Sequence, residues 1–405
     1  MVGQTYNLQK EEGVLHYILN QEKIFDKGAR LTVTEIGNGN MNYVYRIQDT
    51  ANGKSIILKY AGEHIRISEE ILVSPDRIKI EAGMLDKLSK LVPDCIPQIY
   101  QFDELNNCIL MQDLKGYTIM REALVNHIKV QNFAENIVAY LIKSLLPTSE
   151  ILLKSLDKDE LAIRFSNPHL CEITRTYVLI EPFDILSDQN AIFEPNRDYI
   201  NRKIFQDKWL LQEVEQLRET FDNKKQALLH GDLHTGSVFI KDSSIVIFDY
   251  EFAFYGPIGF DIGNLIANLI FAWLHEIASE QVDYSFLHWM EETIEKVIDL
   301  FRSDFIDKLS CLTTSYEDLT EYMEAVIKDT ASFAGVELIR RIVGLAHVKD
   351  IISIPDTKSR TAAERAAIDI GKEYILNKEA FKNGDHFVSS MKKSAGKHIS
   401  ERNTI

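Results

Sequence analysis

The chain has 405 residues, with 45 Lys and Arg against 61 Asp and Glu, a formal charge of −16, and 45% of its side chains are hydrophobic. That apolar content can build a sizeable core and excludes a mainly disordered chain. The acidic balance argues against nucleic acid or an anionic membrane as the main partner, and the length suggests two or three domains, or two unequal lobes.

The first 30 residues read as helical, with Val14, Leu15, Ile18 and Leu19 at helical spacing. Residues 30–37, 42–49 and 54–60 are rich in β-branched and aromatic side chains and are separated by short Gly/Asn breaks, which predicts three strands in an antiparallel meander. A helix is expected over 76–92, stopped by Pro93 and Pro97. QIYQFDE and NCILMQDL read as two further strands, and from Gly116 the chain is mostly helical. A block from Ala227 to Phe254 interrupts this with two short apolar strands. Long helices are expected over 261–275, 289–301, 318–350 and 361–376. The last residues, 391–405, are polar and basic and read as a flexible tail. The expected division is an N-terminal lobe over 1–113, a helical lobe over 114–390 and the tail.

Cys95, Cys108, Cys171 and Cys311 are far apart and form no Cys-x-x-Cys, which fits a reducing cytosol better than a disulfide framework or a zinc site. The N-terminus has no signal-peptide pattern. The most apolar segment, 262–274, is interrupted by Asn264 and Asn268 and falls short of the roughly 20 residues of a bilayer span. A cytoplasmic protein with no membrane or nucleic-acid partner is expected.

Three motifs carry chemistry. In EIGNGNMNYVYRI, Gly37, Gly39, Asn40 and Asn42 lie at a strand–strand turn. Such a turn is either a backbone cradle for a phosphate or an ordinary hairpin. The third glycine of G-x-G-x-x-G is absent, and there is no GxxxxGK[ST]. Lys59 ends an apolar strand, and Glu81 follows on the next predicted helix. Either the lysine reaches phosphate oxygens with the glutamate holding it, or both are surface charges.

The strongest signal is LLHGDLHTGSVFIKDSSIVIFDYEFAFYGPIGFD. Asp232 sits in a His/Gly loop, an apolar strand follows, and Asp249 and Glu251 then alternate onto one side of the chain. Paired hard oxygens suit Mg²⁺ bound with nucleotide phosphates, and Asp232 can orient a hydroxyl and take its proton. His230 and His234 serve better as loop-shaping hydrogen-bond groups than as zinc ligands, and Asp261 can cap its helix and brace the loop.

HGDLHTGS with FDYE resembles the catalytic core of the aminoglycoside- and choline-kinase-like phosphotransferases. EIGNGNMNYVY, HGDLHTGS, EFAFYGPIGFDIGNLIAN and ELIRRIVGLAHV together resemble the 5-methylthioribose kinase family across most of the chain. The resemblance implies an α+β, protein-kinase-like bilobal fold, with a small antiparallel sheet lobe and a large helical lobe. It also implies ATP-dependent phosphorylation of the 1-hydroxyl of 5-methylthioribose, a step of methionine salvage, by a homodimer.

Under the resemblance Asp232 is the catalytic base and touches the sugar, and Asp249 and Glu251 hold Mg²⁺ beside Tyr250 at the cofactor. Lys59 pairs with the ATP phosphates with Glu81 as its partner. Gly37, Gly39, Asn40 and Asn42 cover the phosphates, and Gln112, Asp113 and Leu114 form the adenine hinge. Arg340 and Arg341 bind the sugar and steady phosphoryl charge. Ser237 replaces the superfamily's metal-binding Asn, and Ile71 and Leu72 stand where bacterial relatives carry Trp-Pro. The rivals are another small-molecule kinase, acting on an aminoglycoside, choline or homoserine, and a non-catalytic nucleotide-binding scaffold.

Overall fold

A computed structural model describes residues 5–21, 24–36, 41–65, 68–311 and 315–402. They form two compact units. The first comprises Met1–Tyr117, Asn167–Leu170 and Val246–Ala253, and the second comprises Thr118–Ser166, Cys171–Ile245 and Phe254–Ile405. The expected boundary at 113/114 therefore lies at 117/118, and the segment carrying Asp249 and Glu251 groups with the sheet unit instead of the helical one.

The first unit is built on a five-stranded antiparallel sheet. Its spatial order is Leu31–Glu35, Tyr43–Asp49, Ser55–Tyr60, Cys108–Gln112 and Ile99–Asp103. Side-chain alternation sorts the central strand onto two apolar faces. Ile56 and Leu58 pack with Tyr45, Ile47 and Leu110 against Val14, Tyr17 and Ile18 of the helix Glu11–Leu19. Ile57 and Ala61 pack with Ile109 against Ile78 and Ala82 of the helix Arg77–Leu88. Lys59 shares the second face by register, so it points at that helix. The helix is shorter than the expected 76–92, since Ser89 caps it before Pro93 opens a 3₁₀ turn. Only Glu11–Leu19 is helical among the described residues of the first 30.

The second unit is mainly helical. Helix Ile258–Ile277 is buried almost throughout and packs on Tyr316–Val343, which packs in turn on Thr357–Leu376. Glycines permit the close crossings. A Cβ on Gly263 would meet the Ala334 amide nitrogen at 2.7 Å, and one on Gly371 would meet the Gly335 carbonyl at 2.7 Å. Helix Ile258–Ile277 is long and apolar enough to cross a membrane by composition, yet 94% of its apolar window is buried inside the protein, as in a core helix.

Three expectations change. The helix expected over 318–350 ends at Val343, because Gly344 leaves the helical conformation, and Lys349–Ile352 forms a separate turn. The 227–254 block contains the strands Ala227–Leu229, Val238–Lys241 and Ser244–Ile247 and enters a further one, Phe254–Gly256, which pairs with Ala227–Leu229. Residues 391–402 belong to the helix Gly384–Arg402 and are not a flexible tail. Phe387, Met391, Ser394, Ala395 and His398 recur at helical spacing and are all buried.

Candidate active site

In the first unit, the Lys59 ammonium lies 2.7 Å from Glu81 Oε2 and 2.6 Å from Asp249 Oδ1. Burial opposes the lysine's charge, but the carboxylates of Asp249, Glu81 and Glu251 outweigh it and keep Lys59 protonated. Burial pushes the Glu81 carboxyl up to about 7 against the pull of Lys59. Asp249 has φ +67°, a left-handed conformation rare for a side-chain-bearing residue and characteristic of functional turns. Its side chain remains 44% exposed.

Glu251 is buried, and its Oε2 accepts from Asn42 Nδ2 at 2.6 Å and lies 3.4 Å from Arg77 Nε. Arg77 also donates to Asn42 Oδ1 and to the carbonyls of Gly62, Ser74 and Met41. Asn167 Nδ2 donates to the carbonyl of Glu251 at 2.8 Å. Tyr250 is fully buried in the 3₁₀ turn between the two acids.

The resemblance sets Asn42 over the phosphates. Its carboxamide is instead buried, with its oxygen and its nitrogen bonded to Arg77 and Glu251. Gly37, Gly39 and Asn40 lie outside the described residues. At the expected hinge, the Gln112 amide donates to the Gln98 carbonyl, and the Leu114 carbonyl accepts from Tyr117 N. The Asp113 carboxylate accepts from Arg46 and Ser55. Leu72 is exposed at the end of strand Ser68–Leu72, which also contains Ile71.

In the second unit, Asp232 lies in a loop pinned at both ends. Asp261 accepts from the amides of His230 at 2.7 Å and Gly231 at 2.9 Å, so it braces the loop and does not cap its own helix. His230 Nδ1 accepts from Asp232 N, and His234 Nδ1 accepts from Gly236 N. Ser237 Oγ accepts from His234 N and donates to the carbonyl of His234. Burial disfavours the Asp232 charge, but His234, Arg341 and Arg340 outweigh it and hold the carboxyl well below the usual range. His234 Nε2 is 3.4 Å from Asp232 Oδ2.

Arg340 is buried and Arg341 half-buried beside one carboxylate. Glu337 Oε2 accepts from Arg340 Nε at 2.5 Å, and Oε1 accepts from Arg341 Nε at 2.8 Å. Burial opposes the Glu337 charge, and the two arginines outweigh that and lower its pKa. Glu337 was legible in ELIRR, since i, i+3 and i, i+4 pairs share a helix face. Arg77, the half-buried Arg121 and the buried Asp350 gave no such signal.

The first unit thus holds a protonated lysine between two carboxylates, and the second holds an ionised loop aspartate with two arginines nearby. Residues 32–293 match the model of the phosphotransferase enzyme family APH. The chain is 36% identical to a methylthioribose kinase of Bacillus cereus, covering 89% of this chain and 90% of that protein. It is 34% identical to one of Bacillus velezensis over the same shares. The chain belongs to the methylthioribose kinase family of phosphotransferases. Among solved structures, the choline kinase from Cryptosporidium parvum is similar with a TM-score of 0.48 at 15% identity, over 96% of this chain and 98% of that one.

Proposed function

We propose that the protein transfers the γ-phosphoryl of ATP to the 1-hydroxyl of 5-methylthioribose. The observation that carries this reading is similarity to methylthioribose kinases over nearly the whole chain, in which Glu337 holds Arg340 and Arg341, the arginines that help lower the Asp232 pKa. Asp232 orients the acceptor hydroxyl and takes its proton. In a loose transition state positioning matters more than early proton removal. Arg340 and Arg341 offset charge on the transferring group, with donors preset by Glu337. Lys59, kept protonated between Glu81 and Asp249, pairs with phosphate oxygens.

Mg²⁺ fits the donors present. Asp249 offers a partly exposed carboxylate on a turn that presents it, and Glu251, buried with its Oε2 held by Asn42, would supply a second hard oxygen donor through its other oxygen. The ion, when bound there, neutralises phosphate charge. Four free cysteines agree with a reducing, cytoplasmic setting.

The test is coupled ADP release with ATP and Mg²⁺, using 5-methylthioribose, ribose, choline, homoserine and kanamycin as parallel acceptors. Turnover on methylthioribose well above the others is expected. Turnover confined to another acceptor would move the reading to that substrate, and nucleotide binding without turnover on any of them would favour a scaffold.

A further inference from the structure

Beyond the residues already assigned, the second unit buries an ion pair with orphaned polar atoms. Asp350 is 1% exposed, and among the described residues no other residue hydrogen-bonds either of its carboxylate oxygens, which its own amide approaches. Arg121 Nε lies 3.6 Å from Asp350 Oδ2, too far for a good hydrogen bond, and has no hydrogen-bond partner among the described residues. The rest of the guanidinium is fixed, since Nη2 donates to Asn268 Oδ1 at 2.9 Å.

The pair adjoins the catalytic loop. A Cβ on Gly236 would stand 3.1 Å from Arg121 Nη1 and 2.8 Å from the His234 ring, and His234 contacts Asp232. Arg121 interacts electrostatically with Asp232 and Arg341, and Asp350 with Arg341. Orphaned buried donors and acceptors are costly and rare, and a group that both donates and accepts would satisfy this set. The Arg121 side chain is 22% exposed, while its Nε and the Asp350 carboxylate are buried, so a hydroxyl reaches them only with a small shift of the guanidinium.

We propose that Arg121 and Asp350 form a hydroxyl subsite of the acceptor. A secondary hydroxyl of the pentose donates to Asp350 and accepts from Arg121 Nε, which sets the sugar's register beside Asp232. This rests on the reading of the protein as a methylthioribose kinase. A sugar-hydroxyl subsite discriminates against the analogue lacking that hydroxyl, because the buried groups are then left unpaired.

The experiment measures kcat and KM for methylthioribose and its 2-deoxy and 3-deoxy analogues, with wild type, Asp350→Asn and Arg121→Lys, after circular dichroism has shown that each variant is folded. Wild type is expected to discriminate against one analogue by about tenfold or more in kcat/KM. Both variants should lose a similar factor on methylthioribose and little on that analogue, with KM for ATP unchanged. Parallel losses on all three sugars, or no loss, would overturn the subsite and leave a structural pair bridged by water. If Asp350→Asn does not fold, Arg121→Lys and the wild-type analogue series decide alone. A wild type inactive on methylthioribose but active on another acceptor would overturn the functional reading, and the subsite with it.

Discussion

Glu337 Oε1 accepts from Arg341 Nε at 2.8 Å, while its other oxygen holds Arg340, so one buried carboxylate sets the direction of two guanidinium groups. Glu337→Gln keeps the shape and removes the charge that offsets both arginines. Removing one partner of a buried ionic cluster destabilises by about 3 kcal/mol. The expected outcome is a lower Tm and a fall in kcat/KM for the sugar of about tenfold or more, with KM for ATP unchanged. A variant with wild-type sugar kinetics would remove the arginine pair from the acceptor site.

The Lys59–Asp249 contact makes a second prediction. Lys59 is the cation shared by Glu81 and Asp249, and Lys59→Met leaves a buried carboxyl beside a second acid. Glu81, already raised by burial, would then lose the charge that opposes its protonation. Turnover should fall by about a hundredfold or more, in line with loss of a preorganised charge at a transferring group. Glu81→Gln should fall less, because Lys59 keeps Asp249. Equal losses would mean that Glu81 does more than position the lysine.

The state of Asp232 fixes a pH signature. Its folded pKa is depressed, so its charge and the stability that charge contributes are present above the unfolded carboxyl value, and both are lost only as pH falls through the depressed value. The carboxylate is therefore ionised from about pH 5 upward. The pH profile of kcat/KM should show no acid limb owing to Asp232 in the neutral range, and Asp232→Asn should be inactive at every pH. A limb between pH 5 and 7 in the wild type that persists in Glu81→Gln would contradict the electrostatics described.

Helix packing supports the arginine pair from a distance. Gly371 faces the carbonyl of Gly335, five residues before Arg340 on the same helix. Gly371→Ala drives a methyl group into backbone. Overpacking of this kind costs about 1–3 kcal/mol, so Tm should fall, with the loss in sugar kcat/KM exceeding any loss in ATP affinity. Unchanged stability would show that the crossing can open without cost.

Much of this was readable in advance. β-Branched runs separated by Gly/Asn breaks mark the antiparallel meander, and alternation along Ser55–Tyr60 places Lys59 on the face that receives Glu81. The order of aspartate loop, strand and paired acids marked the loop around Asp232. The buried charge networks were not readable, because their partners are remote in sequence. Arg121 reaches Asn268 across 147 positions, and Arg77 reaches Asn42 across 35. The C-terminal helix was missed because its polar and basic surface masked the spacing of Phe387, Met391, Ala395 and His398, which are buried against the rest of the unit. Grouping Asp249 and Glu251 with the sheet unit likewise depends on contacts to Lys59, Asn42 and Arg77 that chain order does not reveal.

The most direct test compares methylthioribose-dependent ADP release by wild type and by Asp232→Ala, with nucleotide binding measured on both by calorimetry. The account predicts turnover by wild type, none by Asp232→Ala, and nucleotide affinity within a few-fold for the two. Turnover by Asp232→Ala within about tenfold of wild type, far less than the loss expected for a group that orients and deprotonates the acceptor, would contradict it.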